Sequence, residues 1–295
     1  MRRRHLLALV SLVTLLPAAC TDEGQASQAA AAEVVDAALE VIDRDTEQLR
    51  KGMPEGVKVL AKRMPEDPQG SRLELQTAIK AARENTEKLA VAKSTFFSFT
   101  DLDGKVLRSE IDPDRLVDQN IFQAFPGLSK AVDPKSGIVE AYGAMEALRG
   151  VKRGDDIAWV VAHPVVDASG KTKGVFVSGF SFRLYAGLIQ GAVRARATEK
   201  AKDKASKKVP VFYAFLVKGG TAYGGIEPAA GPQGSEVAAP DVLAEHLTKE
   251  DLAAKTASGD FSSAVEVEKR KFGYVARKAP ALGDDAVVVV VASVF

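Results

Sequence analysis

The chain is short of the residues that catalysis most often uses. It has one cysteine and three histidines in 295 residues, so a disulfide framework and a cysteine-rich metal site lack their ligands. There is no G-x-S-x-G, phosphate loop or dinucleotide fingerprint, and Gly219, Gly220, Gly224 and Gly225 read as turn residues. "DLDG" at 101–104 lacks the downstream glutamate of a calcium loop. An excess of one charge is also missing. Forty basic residues face 39 acidic ones, which gives a polyanion such as nucleic acid nothing to favour. Long apolar runs are absent too, since "AVVVVVASVF" near the end is half of the roughly 20 residues a spanning helix needs. With 46% hydrophobic and 27% charged residues, the rest is ordinary for a globular protein. Its length holds two modest domains.

The first twenty residues depart from that average. "MRRRHLLALVSLVTLLPAAC" sets Arg2, Arg3 and Arg4 before an apolar run from Leu6 to Leu16 and then small residues, the order of a secretory signal. Cys20 falls where cleavage would expose it, and a lone exported cysteine has no intramolecular partner. The stretch resembles the lipobox of bacterial lipoproteins, with Pro17 where the family usually has leucine and Leu16 one place further back. The resemblance implies that residues 1–19 are removed, that Cys20 carries lipid, and that the chain is tethered to the cell envelope facing the periplasm. Thr21, in place of an aspartate, favours the outer membrane. The mature chain then has 37 basic and 39 acidic residues, and His163 and His246 remain after His5 is lost.

Residues 20–28 are small and polar and read as a flexible spacer. From Ala29 an amphipathic helix begins, with Val34, Val35, Leu39, Ile42 and Leu49 near one face. Pro54, Gly56, Pro65, Pro68 and Gly70 then punctuate the chain, and a second helix follows, capped by Ser71 with Glu74 three residues on. "FFSFTDLDGKVLRS" reads as a hairpin turning at Asp101, Asp103 and Gly104. Short helices are expected over 114–125 and 128–132, then three antiparallel strands, the last two in "IAWVVAHPVVDASGKTKGVFVSGFSF". A helical, increasingly basic linker over 188–208 leads to a second unit over 209–295, and reads as a solvated connector. The class is α+β.

The plan of the first unit recurs in the second. "FTDLDGKVLRS" overlays "FLVKGGTAYGG", with Phe99 on Phe215 and Gly104 on Gly220, and "AWVVAHPVV" overlays "GYVARKAPAL", with Trp159 on Tyr274. The long helical segment, "DLDGKVLRS", "FPGL" and "AHPVVDASGKTKGVFVSGFS" together resemble the extracytoplasmic Cache domains, PAS-like sensory modules of bacterial receptors. The resemblance fits best over 29–187, and with 209–295 it makes a double Cache arrangement. It implies long N-terminal helices, two antiparallel sheets joined by a helix, and no catalysis. It also implies a small ligand on one sheet face, closed by the helices and loops before the third strand.

Strand alternation suggests which residues line such a face. Trp159, Val161 and His163 share one side of their strand. Trp159, His163, Tyr142 and Arg149 would surround a small anionic or amphoteric ligand, with Arg149 as carboxylate fork and Asp167 as amine partner. Each also has a plainer reading: Trp159 as core, His163 as a satisfied strand-end residue, Arg149 as surface charge, Asp167 as turn former. No metal and no cofactor is expected. Two functions stay open: a small-molecule sensor that signals through a separate membrane protein, and a structural or assembly lipoprotein that binds protein without ligand. The second predicts a pocket filled by side chains.

Overall fold

Helical periodicity in the first third of the chain becomes, in the computed structural model, a layer of helices against which one face of each sheet packs. The structure describes residues 23–94, 96–146, 156–202, 210–225 and 240–294. Helix α1 (Glu23–Ala32) leads into α2 (Val35–Arg63), then α3 (Arg72–Glu84) and α4 (Glu87–Val91). On α2 the residues Val35, Ala38, Ile42, Leu49, Met53 and Leu60 form the buried stripe. Asp36 in its first turn and Lys62 and Arg63 in its last complement the helix dipole.

Two local expectations are corrected here. The spacer expected over 20–28 is helical from Glu23, because Gly24, Ser27 and Ala31 are small enough to lie flat on a sheet. Pro54 and Gly56 do not break the chain: α2 runs through both. Gly56 serves packing, since a Cβ there would meet the Leu89 side chain at 2.5 Å, so its absence lets α4 press against α2. Ser71 stands at the N-terminus of α3 without a side-chain capping bond, and the segment divides at Asn85 and Thr86 into α3 and α4.

The fold is α+β, with long N-terminal helices followed by two antiparallel five-stranded sheets joined by a helix. The first sheet has strands β1 (Phe96–Thr100), β2 (Val106–Ser109), β3 (Val139–Gly143), β4 (Ala158–Val166) and β5 (Thr172–Ser181), ordered β2-β1-β5-β4-β3. The hairpin at Gly104 forms as read, with Asp101 accepting from the backbone N–H of Asp103 and Lys105. Between β2 and β3, helix α5 (Ile121–Ala124) is shorter than the helix expected over 114–125, and a 3-10 turn (Pro126–Val132) covers the one expected over 128–132. Residues 114–117 are instead wound around the buried Asp114 carboxylate, which accepts from the N–H of Ser109, Leu116 and Val117.

Helix α6 (Phe182–Ala201) starts directly on the end of β5, earlier than the boundary at 188. One face of it is packed: Tyr185, Ala186, Ile189, Gln190, Val193 and Ala197 are buried, and Tyr185 stacks on Phe180 at 3.8 Å, while Glu199, Lys200 and Lys202 in the basic stretch are exposed and the rest of that stretch, 203–208, lies outside the described residues. The second sheet holds β6 (Val211–Lys218), β7 (Thr221–Gly224), β8 (Phe261–Val267), β9 (Arg270–Lys278) and β10 (Val287–Ser293). Its order, β7-β6-β10-β9-β8, repeats the first. Helix α7 (Pro240–Thr248), the short α8 (Leu252–Lys255) and a 3-10 turn (Pro280–Leu282) complete it.

The recurrence holds at the turns and fails in register. Gly104 and Gly220 both take left-handed backbone, at φ 83° and 77°. Phe99 and Trp159, however, face the helical layer, whereas Phe215 and Tyr274 face α7 on the other side of their sheet. Leu216 and Val275, one residue further on, are the ones that face the helices. Side chains alternate along a strand, so a one-residue slip in the overlay exchanges the two faces.

Candidate functional site

The two faces of the first sheet have different covers, and this decides what each can do. The row Glu140, Tyr142, Trp159, Val161 and His163 points to the helical layer. Trp159 is wholly buried there, its ring 5.1 Å from Phe180, and its indole N–H donates to Glu140 Oε2 at 2.9 Å. Arg50 of α2 donates to both Glu140 oxygens, at 2.6 and 2.8 Å, and to the carbonyl of Ala281 in the second unit at 2.7 Å. Its guanidinium lies over the Trp159 ring at 5.4 Å from the centroid. Burial pushes the Glu140 carboxyl up, but the bonds from Arg50 and Trp159 outweigh it and hold the group below the usual carboxylate range.

Tyr142 extends the same joint. Its hydroxyl donates to the Leu282 carbonyl at 2.5 Å, and burial, with the charge of Glu140, pushes its phenol up to about 12. Lys218 of β6 sits 4.1 Å from the Tyr142 ring centroid and pairs with Asp285. Tyr142, Trp159, Glu140 and Arg50 therefore tie the first sheet, α2 and the 3-10 turn of the second unit into one polar seam. Tyr142 and Trp159, expected as ligand contacts, stand in this seam, and Arg50 and Glu140 beside them were not among the expected residues. Glu140 was detectable, because it stands two residues before Tyr142 on the same inward row.

The other proposed residues are not gathered there. His163 lies four residues along β4 from Trp159, roughly 13 Å away at strand spacing. Its Nδ1 is 2.9 Å from the Pro164 carbonyl oxygen, and burial lowers its pKa. Asp167 is in the turn between β4 and β5, where one oxygen accepts from the Ser169 hydroxyl and from the N–H of Ser169 and Lys171. Those bonds, led by the Ser169 hydroxyl, bring its pKa down to about 2. Arg149 and Cys20 lie outside the described residues.

The opposite face of the sheet is the one closed by α5 and the 3-10 turn. Phe96, Val106, Val160, Ala162, Val175 and Val177 meet Leu116, Ile121, Phe125, Leu128, Ala131 and Met145 in one buried cluster. The polar groups facing this way are satisfied among themselves, as in the Ser98 and Ser109 hydroxyls 2.7 Å apart. The residues of this cluster fill the face, none of them more than 7% exposed, and it offers an ionised group no partner among the described residues. Among those residues no group of His, Cys, Asp and Glu side chains gathers as a metal site, and no helix is long and apolar enough to cross a membrane.

No family model and no curated protein matches the chain. Solved structures similar to it include the ligand-binding domain of the Pseudomonas aeruginosa amino acid chemoreceptor PctB in complex with L-Arg. That likeness has a TM-score of 0.47 at 13% identity and covers 91% of this chain and 95% of that one. The sensory domain of the Campylobacter jejuni chemoreceptor Tlp3 with isoleucine bound has a TM-score of 0.47 at 11% identity, over 92% and 94% of the two chains. An extracellular ligand binding receptor from Desulfohalobium retbaense has a TM-score of 0.43 at 11% identity, over 88% of this chain and 39% of that one. This chain spans about two fifths of that receptor's length. The likeness in all three is one of chain course.

Proposed function

We propose that this chain is a lipid-anchored, extracytoplasmic sensory module of double Cache-like build, which binds a small molecule and passes occupancy to a separate membrane protein. The observation that carries the reading is the strand order 2-1-5-4-3, repeated in both units on one shared helical layer. The seam of Arg50, Glu140 and Tyr142 joins those units, so a change in the first sheet has a path of direct bonds to the second. Cys20 is the anchor, and the ligand lies on the face of the first sheet closed by α5 and the 3-10 turn. Arg149 is the carboxylate fork for an anionic ligand, while the described lining suits an apolar portion. The chemistry is binding, without catalysis, cofactor or nucleic acid.

A second reading, a lipoprotein that uses this fold as a protein-binding scaffold without ligand, is favoured by the apolar packing of that same face. A thermal-shift screen against amino acids, carboxylates, amines, purines and small apolar molecules separates the two. Saturating ligand at 100 times its Kd stabilises the folded state by about 2.7 kcal/mol. A saturable shift that is lost in Arg149→Ala or Ala162→Leu, in variants that still fold, supports the sensor. No shift with any class supports the scaffold.

A further inference from the structure

We infer that the cleft between α1 and the end of α6 is the seat of one acyl chain of the lipid on Cys20, an inference that rests on reading Cys20 as the anchor. The cleft has a volume of about 370 Å³. Its walls are Ala26, Ala29 and Ala30 of α1, Ala197 of α6, Phe212 and Val294. Lys200 and Glu33 also line it, with the Lys200 ammonium donating to the Glu33 carbonyl at 2.7 Å. Apart from that pair the walls are apolar, mostly methyl groups and an aromatic ring, a lining that receives hydrocarbon and gives a polar ligand little to bond.

Reach identifies the occupant. Helix α1 begins at Glu23, three residues after Cys20. Three extended residues span about 10 Å, and Ala26 lies about 4.5 Å further along the helix. Cys20 is thus held within roughly 15 Å of the cleft, and a tethered group so close competes at high effective concentration. The cleft exists because the run from Ala29 to Ala32 is all alanine, and Ala31 is spent on the sheet while Ala29 and Ala30 face the opening. An acyl chain seated there fastens the anchor to the second sheet through α1, so that the module stands in a fixed attitude on the membrane.

The test uses the full lipoprotein from cells fed a diazirine fatty acid. Intact mass first reports acylation of Cys20. Photolysis in the membrane and peptide mapping should then join the N-terminal lipopeptide to segments 26–34 or 197–202 of the same chain. Ala29→Glu, on an exposed wall residue, should cut that yield about tenfold by placing a charge in the cleft, with acylation and circular dichroism unchanged. Acylated protein whose cleft carries phospholipid adducts instead, or whose cross-link is unmoved by Ala29→Glu, overturns the inference. A mass showing unmodified Cys20 overturns the anchor reading itself, and the inference with it.

Discussion

Arg50→Ala strikes the seam at its centre. Arg50 bonds both oxygens of Glu140 and the Ala281 carbonyl, and covers the Trp159 ring. The ion pair is only partly shielded, its side chains keeping 34% and 28% of their exposure, so solvent screening lowers its worth below that of a buried pair. An exposed pair contributes about 0.2–1 kcal/mol and a hydrogen bond to a charged group about 1.5–3 kcal/mol. The expected loss at neutral pH is about 1–3 kcal/mol. At about 2–4 °C per kcal/mol, the Tm falls by roughly 2–12 °C.

The pH dependence gives a sharper check. In the native protein the Glu140 pKa is lowered, so the pair's contribution is complete above the ordinary carboxylate pKa and is lost as pH falls through the lowered folded value. Without Arg50, burial is opposed by Trp159 alone. The carboxyl then rises above its ordinary value, and the variant loses stability as pH increases through that window. The deficit is therefore largest near neutrality and closes in acid. Trp159 is the sole tryptophan and bonds Glu140 directly, so its fluorescence reports the same titration. Thermal unfolding followed by circular dichroism from about pH 3 to about pH 7, with fluorescence in parallel, measures both. An unchanged Tm at neutral pH, or a deficit that widens on acidification, refutes the account.

Gly273→Ala would place a Cβ 2.1 Å from the backbone nitrogen of Gln28, so α1 must shift off β9. The expected cost is about 1–3 kcal/mol, with faster proteolytic cleavage within residues 23–32 as the readout. Trp159→Phe keeps an aromatic ring and removes the bond to the charged Glu140, a loss of about 1.5–3 kcal/mol, while Trp159→Ala should cost about 3–5 kcal/mol. Equal denaturation midpoints for the two variants would show that the ring is not part of the core. Asp45 is fully buried on α2 and accepts from the Tyr185 hydroxyl at 3.1 Å and from Arg44 at 2.9 Å, yet burial dominates and raises its pKa. Its ionisation opposes folding, so native stability should fall as pH rises from the ordinary aspartate value through the raised one. Asp45→Asn should flatten that stretch of the calorimetric Tm profile, and an unaltered slope would exclude Asp45 as its source.

Local pattern was enough to read the strands, the hairpin at Gly104, the helical N-terminal third and the doubled plan. Each rests on periodicity or turn chemistry within a few residues. The same information placed Trp159, Val161 and His163 on one side of the sheet, and the cross-strand register adds Tyr142 to it. It could not say what covers that side. Alternation distinguishes two faces, but α2 ends 95 residues before β4 begins, and only packing chose that face for the helices. Arg50 reads as a solvated charge until Glu140, ninety residues away, and Ala281, in the other unit, close on it. Likewise Pro54 and Gly56 look like breaks in isolation but are interior to α2, and at Gly56 Leu89 packs where a side chain would stand. The slip that sets Trp159 and Tyr274 on opposite faces has the same origin. Sequence determined the elements and their order by local conformational preference, and tertiary structure alone decided which face of each strand meets the helices and which partner each side chain finds, because those depend on contacts between residues far apart in the chain.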